Sequence, residues 1–193
     1  MKLLMHTCCA PCLVYPLQEL RREETIDVDL LFYNPNIHPY PEYWRRKEQL
    51  YRFAGQNGLT IVRLAEEDEP VECRFPALER IWSSYPEAQR CDMCYRTRLE
   101  MTARHAAMNG YEAFSTTLLG SIYQNHERIV AIGKAMAGHY GVDFYDRDFR
   151  AGFREGQRMA KEQGIYRQKY CGCIVSLNNS AIREKILASM PTF

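Results

Sequence analysis

Nowhere in this chain does an apolar run approach the ~20 residues that a bilayer-spanning helix needs. Its opening, Met1-Lys2-Leu3-Leu4-Met5-His6, carries one charge and an apolar stretch too short for a signal peptide. A cytoplasmic protein without membrane contact is therefore expected. A dominant charge is missing too: 25 basic against 24 acidic side chains leave a net charge of +1. Bulk attraction to nucleic acid is excluded on that count, and any such partner must meet local basic patches. Neither common glycine-rich phosphate loop is present, so a nucleotide cofactor is unsupported. Internal repeats, low-complexity tracts and linkers are absent as well. One domain over residues 1–193 is expected, with the 46% apolar and 12% aromatic content of an ordinary globular chain.

Cysteine is the residue in surplus. The chain has eight, and thiols in the cytosol rarely become structural disulfides. Metal ligation or redox chemistry is the better reading of them.

Short β-rich runs alternate with helical patterns from end to end. Strands are expected over Lys2 to His6, Val28 to Tyr33, Leu59 to Leu64, Tyr111 to Leu119 and Val142 to Tyr145. Helices are expected from Pro11 to Arg22, along the face Tyr43, Lys47, Leu50, Tyr51 and Ala54, and from Cys91 to Asn109-Gly110. Further helices are expected through Ile129, Ile132 and Met136, from Arg154 to Gln163, and from Asn179 to Ser189. The acidic run Glu66 to Glu69 before Pro70 reads as a solvated loop. Strand then helix, repeated about five times, predicts a three-layer α/β/α fold around a mostly parallel, Rossmann-like sheet. Ligands in such folds sit beyond the carboxyl ends of the strands, where Cys8 and Cys9 fall.

Seven of the cysteines form three tight groups: Cys8-Cys9-x-x-Cys12, Cys91-x-x-Cys94 and Cys171-x-Cys173. Cys91 and Cys94 are expected at a helix start, where backbone N–H groups and the helix dipole favour the thiolate. The first group is expected at a strand-to-helix turn. Two such turns facing each other offer four thiolates, suited to a 4Fe–4S cluster or to zinc. Adjacent cysteines are awkward for zinc knuckles, and five thiols exceed one tetrahedral site. Cys12 is left for a second metal or for substrate. Asp92 offers a harder oxygen to iron, or is simply a carboxylate near a helix N-terminus. Glycine inside Cys171-Gly172-Cys173 permits a strained, easily reduced disulfide. Two further metal ligands are the alternative there. Cys73 is assigned no role.

His6 reads as a core histidine. Asn34 to Pro39 and Ser115 to Leu119 end strands at the cysteine edge of the sheet; the first could floor a pocket. The hydroxyls of the second could bind a ligand or cap a turn. Basic residues cluster at Arg45-Arg46-Lys47 with Arg52, at Arg90 with Arg96 and Arg98, and from Arg147 to Arg158. Arginines interleaved with Tyr145, Phe149 and Phe153 suit unpaired RNA bases, although each cluster taken singly also fits a solvated face.

Together these motifs resemble the cobalamin-independent epoxyqueuosine reductases of bacterial tRNA modification. The likeness is carried by His6-x-Cys8-Cys9-Ala10-Pro11-Cys12, Asn34-Pro35-Asn36-Ile37-His38-Pro39, Arg90-Cys91-x-x-Cys94-Tyr95-x-x-Arg98-Leu99, Ser115-Thr116-Thr117-Leu118-Leu119, Asp148-Phe149-Arg150 and Tyr170-Cys171-Gly172-Cys173. The resemblance implies reduction of epoxyqueuosine to queuosine at the wobble position of tRNA, with an unidentified electron donor. It implies a 4Fe–4S cluster on Cys8, Cys9, Cys91 and Cys94, and a redox-active disulfide of Cys171 and Cys173. A sheet like that of the nucleotide α-hydrolase (HUP) group is implied too. From the chemistry of removing an epoxide oxygen, an additional mononuclear iron on Cys12 and Asp92 is a further expectation. Two other readings stand beside this one: a structural zinc protein that binds RNA, and an ATP-dependent tRNA thiolation enzyme on the same fold.

Overall fold

The computed structural model describes residues 1–64 and 84–190. Five parallel strands make one sheet in the order β3-β2-β1-β4-β5. They are β1 (Lys2–His6), β2 (Asp27–Leu31), β3 (Ile61–Val62), β4 (Ala113–Thr116) and β5 (Asp143–Phe144). The helices are α1 (Ala10–Arg21), α2 (Tyr40–Gln56), α3 (Glu87–Met108), α4 (His126–Tyr140), α5 (Phe153–Glu162), α6 (Ile174–Asn178) and α7 (Arg183–Ala188). Helices cover both faces of the sheet; α1 packs against α2 and α5, and α3 against α4. The expected three-layer α/β/α architecture is what forms.

β1 is the centre. It runs Lys2↔Asp27 to His6↔Leu31 against β2 and Leu3↔Ala113 to His6↔Thr116 against β4. Leu3, Leu4, Met5 and His6 are all fully buried, as a parallel strand covered on both sides requires. Between β1 and β4 the strand order reverses. Cys8 and Cys9 follow β1 there, and Thr117 follows β4, so the first thiol group stands at the crevice where open parallel sheets bind ligands.

Several boundaries differ from expectation for identifiable reasons. α3 begins at Glu87, not Cys91: Pro86 holds the extended residue before the helix, and Glu87 complements the dipole in its first turn. β4 stops at Thr116, whose hydroxyl accepts the Leu118 N–H at 3.2 Å and turns the chain into a 3-10 turn over Thr117–Gly120. β3 pairs over only two residues, since only Ile61 and Val62 meet β2. The expected tail helix is confined to Arg183–Ala188, and α6 precedes it. Gly141 ends α4 in the left-handed region with φ 66°, its N–H on the Ala137 carbonyl. Cys73 and the acidic run before Pro70 lie outside the described residues.

His6 closes β1 as a satisfied core histidine. Its Nδ1 lies 2.9 Å from Thr116 Oγ1 and its Nε2 3.1 Å from the Tyr33 carbonyl. A carbonyl only accepts, so Nε2 carries the proton and Nδ1 accepts from the threonine hydroxyl. Burial, then the positive charge of Arg98, lower the His6 pKa from 6.5 to about 4. The unfolded chain thus binds the extra proton between those values. The stability from keeping His6 neutral is complete above pH 6.5 and is lost as pH falls toward about 4. A His6→Gln variant is expected to lose less stability across that window, by about 3 kcal/mol, in urea unfolding at a series of pH values. An unchanged pH slope would contradict the buried neutral imidazole. On the other face, a Cβ at Gly133 of α4 would stand 2.3 Å from the Phe144 ring. Gly133→Ala should therefore lower the melting temperature by roughly 2–6 °C, overpacking outweighing the helix-propensity gain of about 1 kcal/mol.

Candidate functional site

At the carboxyl end of β1 three sulfurs gather. Cys8, Cys9 and Cys12 offer ligand atoms within 4.8 Å of one another, a spacing that one metal ion can bridge. The turn into α1 makes this possible: Cys9 is the extended residue before the helix, and Cys12 returns to the same side one turn on. Cys9 Sγ lies 3.6 Å from Cys8 Sγ and 3.1 Å from Cys12 Sγ. Thr117 supports the trio from β4's side, its hydroxyl accepting the Cys8 N–H at 3.2 Å and donating to Cys8 Sγ at 3.5 Å. Gln168 closes it from above, with Oε1 3.3 Å from Cys9 Sγ and Nε2 donating to Cys12 Sγ at 3.4 Å. Hydrogen bonds from Cys12 and Cys9 hold the Cys8 thiol well below its ordinary pKa, whereas burial drives Cys9 up. Three sulfur donors this close suit a soft metal, which would replace their protons.

The second group sits differently from expectation. Because α3 starts at Glu87, Cys91 and Cys94 lie in its second turn and not at its N-terminus. Helix-start activation does not operate there: burial raises the Cys91 thiol and pushes Cys94 up to about 12. Cys94 has a cation instead. Arg98, one turn further on, is buried, and donates from Nη2 to Cys94 Sγ at 3.0 Å and from Nε to the Cys94 carbonyl at 3.1 Å. Burial opposes its charge, while the sulfurs of Cys94, Cys171 and Cys8 favour it, and it stays protonated.

The third group reaches the same place. A cavity of about 370 Å³ is lined by Cys91, Cys94, Cys171 and Cys173 with Asn36 and Arg98. A second, of about 610 Å³, is lined by Cys8, Cys12 and Cys171 with Gln168. Arg98, Tyr123, Gln124 and Cys171 belong to both, so the two adjoin. Gln124 accepts from the Tyr95 hydroxyl at 2.7 Å and donates to Cys171 Sγ at 3.4 Å. Cys173 Sγ accepts the Ser176 N–H at 3.3 Å at the start of α6. Cys171 and Cys173 are free thiols.

The loop bearing them is fastened by Arg46. This guanidinium is 1% exposed, donates from Nε to Glu42 at 2.7 Å, and donates to the carbonyls of Cys171 and Tyr170, each at 3.1 Å. Glu42's other oxygen accepts from the Tyr166 hydroxyl at 2.8 Å. The His38 N–H donates to the Gly172 carbonyl at 2.7 Å, tying in the Asn34 to Pro39 loop. Gly172 has φ 126°, and a Cβ there would stand 3.1 Å from Arg46 Nη1, so both conformation and space call for glycine.

Arg46 and Arg98 thus leave the basic clusters to which their positions in the sequence assign them. Most of the third cluster is neutralised locally: Arg147 pairs with Glu19 and Glu23, Arg150 with Asp148, and Arg158 with Glu155 and Glu162. Asp92 is not brought to the sulfurs. Both its oxygens are engaged by Arg128, whose hydrogen bonds lower its pKa, and it lines neither cavity. Gln124 and Gln168 carry no sequence signal. Arg98 does, at four residues after Cys94, and so does Arg46, at four after Glu42.

The family model for epoxyqueuosine reductase QueH matches residues 3–179. An epoxyqueuosine reductase QueH of Thermotoga maritima is 39% identical over 176 residues, 90% of this chain and 89% of that protein. The one of Acinetobacter baylyi is 35% identical over 182 residues, 93% of this chain and 82% of its own length. That of Dehalococcoides mccartyi is 34% identical over 175 residues, covering 91% and 92%. A match that spans nearly all of the sheet and all three thiol groups places this chain in the epoxyqueuosine reductase QueH family.

Proposed function

We propose that this chain, acting as one domain in the cytoplasm, reduces the epoxide of epoxyqueuosine to the alkene of queuosine at the wobble position of tRNA. The observation that carries the reading is that six of the seven described cysteines line two adjoining cavities at the carboxyl edge of the sheet, with the seventh, Cys9, packed 3.1 Å from Cys12 Sγ. An all-sulfur donor set of this kind suits a soft metal or an iron–sulfur cluster. Cys8, Cys9, Cys91 and Cys94 would hold a 4Fe–4S cluster, supplying electron transfer and Lewis acidity when bound. Cys12 belongs to the same sulfur set, with or without a further iron; Asp92 would have to leave Arg128 to join it.

The chain's own residues supply the rest. Arg98 donates to Cys94 Sγ and lies near Cys8, so its charge would offset that of the thiolates once a metal displaces their protons. Gln124, oriented by Tyr95, and Arg46, through the backbone, set the position of Cys171. Removing the epoxide oxygen as water consumes two electrons and two protons. Oxidation of the Cys171/Cys173 dithiol to a disulfide releases two of each, so the reaction balances, and an external donor then re-reduces the pair.

Incubating the anaerobic protein with tRNA that carries the epoxide tests this. Queuosine should accumulate, and one equivalent should form without added reductant. Cys171→Ser and Cys173→Ser should each lose that equivalent by at least about 100-fold in rate, taking one dithiol equivalent as the sole electron source. Wild-type protein that leaves the epoxide intact would overturn the proposal. Full single turnover by both variants would remove the dithiol from it.

A further inference from the structure

The lip of the thiol cavities carries an aromatic side chain that the fold does not use. Tyr123 is 80% exposed, the highest value among the exposed large hydrophobic residues, and it lines both cavities. Ile122 beside it is 52% exposed. The tyrosine ring is not adrift: it meets Phe153 edge to face, centroids 5.6 Å apart at 85°, and its backbone N–H is held by Ser121 Oγ at 3.2 Å. Leaving this much aromatic surface in water forgoes its burial energy, and a positioned ring at a cavity mouth makes a ready stacking platform.

The second cavity is also lined by Arg167 and Lys169, both exposed. Among the described residues neither meets a carboxylate, unlike Arg128, Arg147, Arg150 and Arg158, which are all paired. They lie on the segment that Arg46 fixes through Tyr170 and Cys171, so their distance from the sulfurs is set by the fold.

We infer that Tyr123 stacks on an unpaired RNA base next to the one entering the cavity, while Arg167 and Lys169 hold the adjoining phosphates. The inference rests on the reading of these cavities as the place where a tRNA base is reduced. A base drawn into the sulfur-lined space leaves its neighbour without a stacking partner, and an exposed ring at the lip replaces the lost surface. Stacking takes any base, and the two cations take the backbone, so recognition here follows strand shape more than sequence. The chain's net charge of +1 provides no general attraction, which makes two cations without a carboxylate partner among the described residues count.

The test uses tRNA carrying the epoxide, with binding and steady-state turnover measured on the full chain. Tyr123→Ala should weaken binding and raise KM by roughly 5- to 150-fold, the loss falling on KM more than on kcat. Tyr123→Phe and Tyr123→Trp should stay close to wild type, because the ring and not the hydroxyl stacks. Arg167→Ala with Lys169→Ala should reduce the slope of log affinity against log salt by about 0.7 for each phosphate no longer neutralised. Equal binding by wild type and Tyr123→Ala would overturn the inference, as would a Phe variant as weak as the Ala variant. Wild-type protein that binds this tRNA but does not turn it over would sink the reductase reading alone. The binding comparison would then still decide the role of Tyr123.

Discussion

Two guanidinium groups held almost wholly out of water govern this molecule. Arg46 and Arg98 are 1% and 3% exposed, and a buried cation costs several kcal/mol unless its hydrogen bonds and charge partners are in place. Arg46 finds its partners in Glu42 and two carbonyls of the Tyr170–Cys171 loop. Arg98 finds them in the sulfur and carbonyl of Cys94, with Cys8 and Cys171 near enough to favour its charge. Each arginine therefore joins chain segments far apart in sequence, and loosening either segment strands a charge in the interior. Arg46 thereby fixes the backbone that carries Cys171, and Arg98 holds the Cys94 sulfur.

The sheet supplies the other half of the constraint. A parallel sheet in the order β3-β2-β1-β4-β5 has its crevice between β1 and β4, and the chain turns there through Cys8, Cys9 and Thr117. α3 delivers Cys94 and Arg98 to the same edge, and the loop before α6 folds over the top. The result is a pair of adjoining cavities whose walls carry six thiols together with the Arg98 guanidinium and the amides of Gln124 and Gln168. Thiols in that number suit a soft metal and electron transfer.

Much of this is legible in the residues. β1 is readable to the residue because the run from Lys2 to His6 stops at the cysteine turn, and α1 to within one residue at each end because proline is at home in its first turn. The three thiol groups are visible as spacing alone. The start of α3 is harder to read, because Cys91-x-x-Cys94 competes with Pro86-Glu87, the stronger start signal; burial then reverses the electrostatic expectation for those thiols. Arg46 and Arg98 fall in basic clusters that read as surface charge; their i+4 spacing from Glu42 and Cys94 is visible, but the carbonyls that reach Arg46 come from residues more than a hundred positions away. Gln124 and Gln168 are illegible for the same reason: an amide acquires meaning only from what the fold sets beside it.

At the centre of this account, thiols from two distant stretches act on one metal centre. Iron and acid-labile sulfide in anaerobically purified protein, for wild type, Cys8→Ser and Cys91→Ser side by side, test it most directly. About four of each per wild-type chain are predicted, with both serine variants losing the cluster or altering its visible absorbance. Zinc alone in the wild type, or a Cys91→Ser protein with unchanged iron and spectrum, would contradict it.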